Sequence, residues 1–556
     1  MVADLLLTGG PLLLPDGSTR AGWAVAVAGG RISGLGPHDQ VAEQAGSGTE
    51  VVDLVGRLLL PGFVDAHAHP LWGGLERLTC DLLEAPRTVA AYQAVVAATA
   101  AAHPDRPWIT GGGWSFEAFP GGVATCAMLD AVVPDRPVVL FNRDHHGVWA
   151  NTAALAVAGV DEHTPDPPDG RIERDAFGRP SGVLHEGAAA LVTDLVPDPS
   201  ADMLDAALRA ARARLVTWGV TGWVEAILGR YAGQPDPLPT YLRAWRSGSL
   251  DVAATGALWW DRDRGLEQIG DLVARREAAA EVGVRLGQVK IMADGIVENQ
   301  TAAMLTGYLR DGRVSPDVGI SFVPREVLLA AVPALEQAGF AVHVHAIGDR
   351  AVRDALDAVA VAVAAARAAR PGSARQVPHQ IAHLQVVDPA DVPRFGRLGV
   401  VANCQALWAC HEPQMDDFTI PVLGSARASS QYPFAGIATA GGELALGSDW
   451  PVSTADPWQA VHVAVTRTPP EDPSLAPFLP EQALSLGAAL RAGTAGSARA
   501  AGLTDCGRLE VGARADLVVA SVDPFEVAPA ELGEVRSDLV VVAGRVVAER
   551  GSLFEG

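Results

Sequence analysis

Histidine, carboxylate and lysine fall at the ends of apolar, strand-like runs along this 556-residue chain. One run closes with His67-Ala68-His69 and another holds Lys290. A third closes with His343-Val344-His345, and two more close with His383 and Asp449. Residues two apart on a strand point to the same side, so each His-x-His pair aims two imidazoles at one point. Neutral imidazole and carboxylate are good ligands for Zn²⁺ and similar borderline cations. Two such cations about 3.5–4 Å apart can share a hydroxide that forms at neutral pH and attacks a carbonyl. A lysine amine that has taken up CO₂ becomes a carbamate with two oxygens, able to bridge the pair; arginine cannot replace it. Lys290 is the sole lysine among 42 basic side chains. One His-x-His among 14 histidines arises easily by chance, whereas the same residue types at five strand ends do not.

The elements that must position these groups can be read from the same runs. Eight apolar segments, Gly62–His67, Gly219–Ala226, Val252–Ala257, Leu286–Met292, Phe340–His345, Gln380–His383, Gly399–Cys404 and Glu443–Asp449, alternate with Ala-rich helical stretches such as Arg325–Ala338 and Arg350–Ala369. Alternating strand and helix predicts an α/β fold with a TIM-type (β/α)8 barrel spanning 61–489, whose site lies at the C-terminal strand ends. Residues from about 73 to 215 are too many for one connection and predict an inserted subdomain after the first strand. Residues 1–60 and 490–556 both alternate short apolar runs with turn residues and predict one small β-sandwich built from both termini.

These residues reach a resemblance. Leu60-Pro61-Gly62-Phe63-Val64-Asp65-Ala66-His67-Ala68-His69-Pro70 is similar to the first metal motif of the amidohydrolase superfamily. Gly512-Ala513-Arg514-Ala515-Asp516-Leu517 resembles its last β unit. Lys290-Ile-Met-Ala-Asp294-Gly295 leading to Thr301-Ala302, His345 through Ala351, Gly447-Ser448-Asp449-Trp450-Pro451, Gly111-Gly112-Gly113-Trp114 and Asp144-His145-His146 narrow it to the branch that includes N-substituted formamide deformylases. The resemblance implies that His67, His69 and Asp449 hold one Zn²⁺, His345 and His383 a second, and carboxylated Lys290 bridges them. It also implies Asp449 as general base and acid, and His146 as a catalytic group that binds substrate or polarises its carbonyl. Three departures accompany it. Asp144-His145-His146 stands where Asp-Gly-His is common, leaving either histidine to face the site. Ala382 precedes His383 where Glu is usual, and Gln405-Ala406 replaces Gln-Pro.

Other signals set the substrate and exclude whole classes. Trp114, Trp408 and Trp450, with Glu298, are expected to contact substrate beside His146, since indoles at a barrel mouth make a flat apolar wall. No arginine at a strand end offers a fork for a carboxylate. The expected function is hydrolysis of a C–N bond in a small neutral amide or formamide with an apolar N-substituent. Ester, lactone or phosphotriester hydrolysis stays open, while a mononuclear deaminase and a non-catalytic barrel are less favoured. A net charge of −23 argues against nucleic acid or a membrane as partner. Five scattered cysteines and no basic apolar leader suggest a cytoplasmic protein, and the resemblance admits a homodimer.

Overall fold

A computed structural model describes residues 2–369 and 375–550; the last part of the expected terminal unit, 551–556, lies outside the described residues. Eight parallel strands form the barrel that the strand–helix alternation predicts. They are β1 (Phe63–Ala68), β2 (Val220–Leu228), β3 (Ala253–Trp259), β4 (Gln288–Met292), β5 (Ala341–Ala346), β6 (Gln380–His383), β7 (Val401–Cys404) and β8 (Glu443–Leu446). The strands are covered on both faces, which is why they read as continuous apolar runs rather than as alternating ones. Lys290 pairs with His343 across β4 and β5, and Ala346 with His383 across β5 and β6, so register brings the polar residues to one height.

Polar side chains tie β8 back to β1. The Asp449 amide donates to the His67 carbonyl at 2.7 Å, and the Asn403 amide donates to the Ala66 carbonyl at 2.9 Å. Asp65 accepts from the Ser448 hydroxyl and backbone N–H and from the His67 N–H. Burial pushes its carboxyl up to about 6 despite those bonds. Two sequence expectations need adjusting here. β8 stops at Leu446, so Asp449 stands beyond it in a left-handed backbone conformation, φ +56°. His69 likewise lies just past β1, at the start of helix α1 (Pro70–Arg77).

Between β1 and β2 the chain builds a mixed six-stranded sheet of its own. Its spatial order is Gly170–Arg174, Pro180–Glu186, Gly147–Ala150, Val138–Asn142, Ile109–Trp114 and Cys80–Asp81. The termini form two further sheets, and Leu5, Val25, Leu517, Val519 and Leu539 bury their side chains in one apolar core between them. Helix α1 packs along helix α2 (Ala201–Thr217), whose first turn is capped by the Ser200 hydroxyl accepting from the Met203 N–H. The approach is close because Gly74 has no side chain: a Cβ there would lie 2.0 Å from the Ala207 carbonyl oxygen. Gly74→Ala is therefore expected to force the helices apart at a cost of about 1–3 kcal/mol. The check is a lower urea midpoint, with Gly121→Ala as an unsuitable control because of its φ of +65° and Gly270→Ala, which meets open space, as a suitable one.

Candidate metal centre

Six of the seven expected catalytic and metal residues converge at the barrel mouth around Asp449, and the seventh, His146, reaches it from the insertion. Asp449 Oδ1 lies 3.4 Å from His67 Nε2 and 3.1 Å from His69 Nε2, and Oδ2 lies 4.0 Å from His383 Nδ1. Lys290 Nζ is 2.9 Å from His67 Nε2. The His345 and His383 rings meet at 4.3 Å between centroids, and His67 and His383 at 4.8 Å. Only glycine allows this closeness at residue 447, where a Cβ would sit 2.6 Å from that of His67.

Electrostatics favour the neutral form of most of these imidazoles. Burial, then the charges of Lys290 and neighbouring rings, pushes His67, His343 and His383 well below the ordinary histidine range; His146 and Lys290 act likewise with burial on His345. Burial lowers Lys290 to about 7, so a reactive neutral amine is populated at neutral pH. Burial opposes protonation of His69 too, but its bonds to Asp449 and Glu225 outweigh that and raise it.

The unpartnered atoms test the fit to a metal. His69 Nδ1, His345 Nε2, both ring nitrogens of His383 and Asp449 Oδ1 are buried with no hydrogen bond. Leaving one such atom unpaired costs about 1–3 kcal/mol. A nitrogen and carboxylate donor set of this density suits divalent zinc-type cations. His67, His69 and Asp449 present one ligand atom each within 4.8 Å of one another.

Several groups that orient these ligands were not assigned from sequence. His343 Nε2 lies 2.9 Å from His67 Nδ1 and so holds the side of that ring away from Asp449 and Lys290. Glu225, wholly buried on β2, lies 3.7 Å from His69 Nδ1 and accepts from the Tyr241 hydroxyl and the Leu71 N–H. A carboxylate inside the otherwise apolar Trp223-Val224-Glu225-Ala226-Ile227 was the available signal. Asp294 accepts from the Ile347, Gly348 and Ala303 N–H groups and thereby secures the turn after His345. The carboxylate missing before His383 is replaced by other means. Gln405 Oε1 accepts from the His383 N–H at 2.7 Å, and the Trp408 indole stacks on its ring at 5.5 Å and 3°.

The insertion delivers His146 and turns His145 away. The His146 ring lies 5.6 Å from that of His345, and its Nδ1 is 2.9 and 3.1 Å from the two oxygens of Glu186. The Thr301 hydroxyl donates to the same carboxylate at 2.8 Å, linking it to the loop after β4. His145 instead sits with Nε2 3.2 Å from Glu76 Oε1 and its ring against Phe141. Arg143 Nε donates to the Val452 carbonyl at 2.9 Å, pinning this loop to the one that carries Asp449.

Of the expected substrate contacts, two are corrected. Trp114 is fully buried in the insertion, donating to the Leu140 carbonyl and packing on Phe116, Phe119 and Trp149. Trp450 is 2% exposed, with its ring edge over Gly73 of α1. Both indoles complete cores, because a ring of that size is most stabilising where all its surface is covered. Glu298 accepts from the Thr419 hydroxyl and so joins the loops after β4 and β7. Trp408 remains part-buried beside His383. Trp72, on α1, stacks on His69 at 4.7 Å and 9°.

Comparison with known proteins agrees with this geometry. The profile of the amidohydrolase family matches residues 50–548. The chain belongs to the amidohydrolase family. This amidohydrolase is 32% identical over 538 residues to Protein LONG AFTER FAR-RED 3 of Arabidopsis thaliana, covering 95% of this chain and 88% of that one. It is 27% identical over 565 residues to the N-substituted formamide deformylase of Arthrobacter pascens, covering 98% of each. In fold it is similar to an uncharacterized metal-dependent hydrolase of Pyrococcus horikoshii, with TM-score 0.70 and 22% identity over 94% of this chain and 99% of that one. Among the described residues no helix is long and apolar enough to cross a membrane.

The His146–Glu186 contact carries a test. Burial alone would depress His146, but the Glu186 charge and hydrogen bond, with Asp144 and Asp449, lift it to about 9. The stability this pair contributes is full below the unfolded value near 6.5 and lost as pH rises through about 9. Glu186→Gln is expected to bring the alkaline limb of kcat/KM down by about one unit or more. A pH–rate profile with an unmoved limb would contradict the assignment.

Proposed function

We propose that this amidohydrolase cleaves the C–N bond of a small neutral amide or formamide bearing an apolar substituent on nitrogen. The observation that carries the reading is the set of unpartnered ligand atoms of His69, His345, His383 and Asp449 gathered beside the sole lysine. In this reading His67, His69 and Asp449 hold one cation, His345 and His383 the other, and carboxylated Lys290 serves both. Bound zinc-type ions supply a water that deprotonates near neutral pH and a Lewis acid for the carbonyl.

The chain's own groups would do the rest. Asp449 is the one carboxylate within reach of three of the imidazoles, and it takes a proton and returns it to the departing nitrogen. His146, kept charged by Glu186, donates from the nitrogen opposite that contact to the developing oxyanion. Trp408 offers a flat apolar wall for the substituent on nitrogen. The full-length similarity to a formamide deformylase supports a small acyl group, and the pairing of Arg230 and Arg262, just past β2 and β3, with Asp198 and Asp169 supports a neutral substrate.

Metal analysis and a substrate screen test this together. About two zinc-type ions per chain are expected, with N-benzylformamide-type amides turned over faster than acyl-amino acids or lactones. A reversal by tenfold in kcat/KM, about 1.4 kcal/mol, would displace the substrate assignment. Lys290→Arg is expected to be inactive although it keeps the charge, and Lys290→Ala is expected to recover partly with short carboxylic acids. Full activity in Lys290→Arg would rule out the carbamate.

A further inference from the structure

A cavity of about 230 Å³ lies away from the cation ligands, at the junction of α1, the inserted sheet and the start of α2. Its walls include Trp72, Trp108, Val139, Phe141 and Met203, and Arg106 stands among its lining groups. A sealed apolar cavity of about 150 Å³ accommodates benzene, so this one has room for a fused two-ring system. None of the expected metal ligands lines it, and Trp72, 2% exposed, stacks with His69, Tyr231 and His145. The cavity is therefore not a continuation of the barrel mouth.

Two polar groups in its lining lack partners. Trp72 Nε1 is buried without a hydrogen bond. The Arg106 guanidinium, part-buried, makes no hydrogen bond, ion pair or ring contact among the described residues. Two carboxylates share the lining: Asp198 is paired with Arg230 at 3.0 Å, and Glu76 has one oxygen 3.2 Å from His145 Nε2, so neither is paired with Arg106. An apolar, flat-walled space with one unneutralised cation selects a planar aromatic ring carrying a carboxylate.

We propose that this cavity is a second ligand site, distinct from the metal centre, for a one- or two-ring aromatic carboxylate. The ring lies between Trp72, Trp108 and Phe141, and the carboxylate meets Arg106. The site stands independently of the reaction assigned to the barrel. Because Trp72 stacks on His69, an occupant touches the same ring that orients a cation ligand.

Calorimetric titration of the metal-loaded and the chelator-treated protein with 2-naphthoate and with the neutral 2-naphthamide tests it. Saturable one-to-one binding of 2-naphthoate is expected in both preparations. Arg106→Gln should weaken 2-naphthoate at least fivefold and leave 2-naphthamide within twofold, whereas Thr110→Trp and Met203→Trp, which fill the space, should weaken both at least tenfold. Arg106 is at the rim, so its variant keeps the test valid if a filling variant fails to fold. Absence of saturable binding, binding lost on chelation, or affinities unchanged in Arg106→Gln would each overturn the proposal. Failure of the amide reading would instead leave these titrations intact.

Discussion

Six imidazoles from β1 and its end, β5, β6 and the inserted loop, with a lysine and several carboxylates, occupy the top of an apolar barrel with almost no access to water. Removing that many polar groups from solvent is unfavourable unless each finds a partner. Some do so within the chain, as His67 with His343 and Lys290, and His146 with Glu186. The remainder, concentrated on His69, His345, His383 and Asp449, are satisfied by a cation and by little else. Most other features of the mouth serve this requirement.

The supporting layer is built from several devices. His343 fixes the His67 ring by a 2.9 Å contact between ring nitrogens, the Glu225 carboxylate stands 3.7 Å from His69, Gln405 and Trp408 hold His383 through backbone and stacking, and Asp294 anchors the turn behind His345. Such partners keep each nitrogen lone pair aimed before a cation arrives. The backbone contributes as well. Glu186, His383 and Asp449 all hold positive φ without being glycine, a strain of order 1–3 kcal/mol each that the packing around them must offset.

Indoles divide into two kinds of work. Trp114, Trp149 and Trp450 fill cores, whereas Trp72 and Trp408 lie flat on His69 and His383. Stacking on an imidazole restricts its rotation and keeps water from its face. The insertion thus matters less as an aromatic cover than as the source of His146 and of the Arg143 bond that holds the loop in place.

The strand periodicity, the ends of those strands and the unique lysine were enough to reach the barrel and its polar mouth, because strand alternation and residue chemistry are local properties. His67, His69, Lys290, His345, His383 and Asp449 were all legible in that way. Glu225 was not, since a lone carboxylate in a strand has no spacing that names its partner. Trp114 and Trp450 were misjudged for a related reason: nearness to a strand end along the chain does not say which side of a wall a ring occupies. The choice between His145 and His146 depended on a left-handed residue at His145, φ +62°, which sends the two rings to different carboxylates 110 residues apart in sequence. Partner identity across such separations is set by how strands and loops are brought together in three dimensions, and only the tertiary structure decides it.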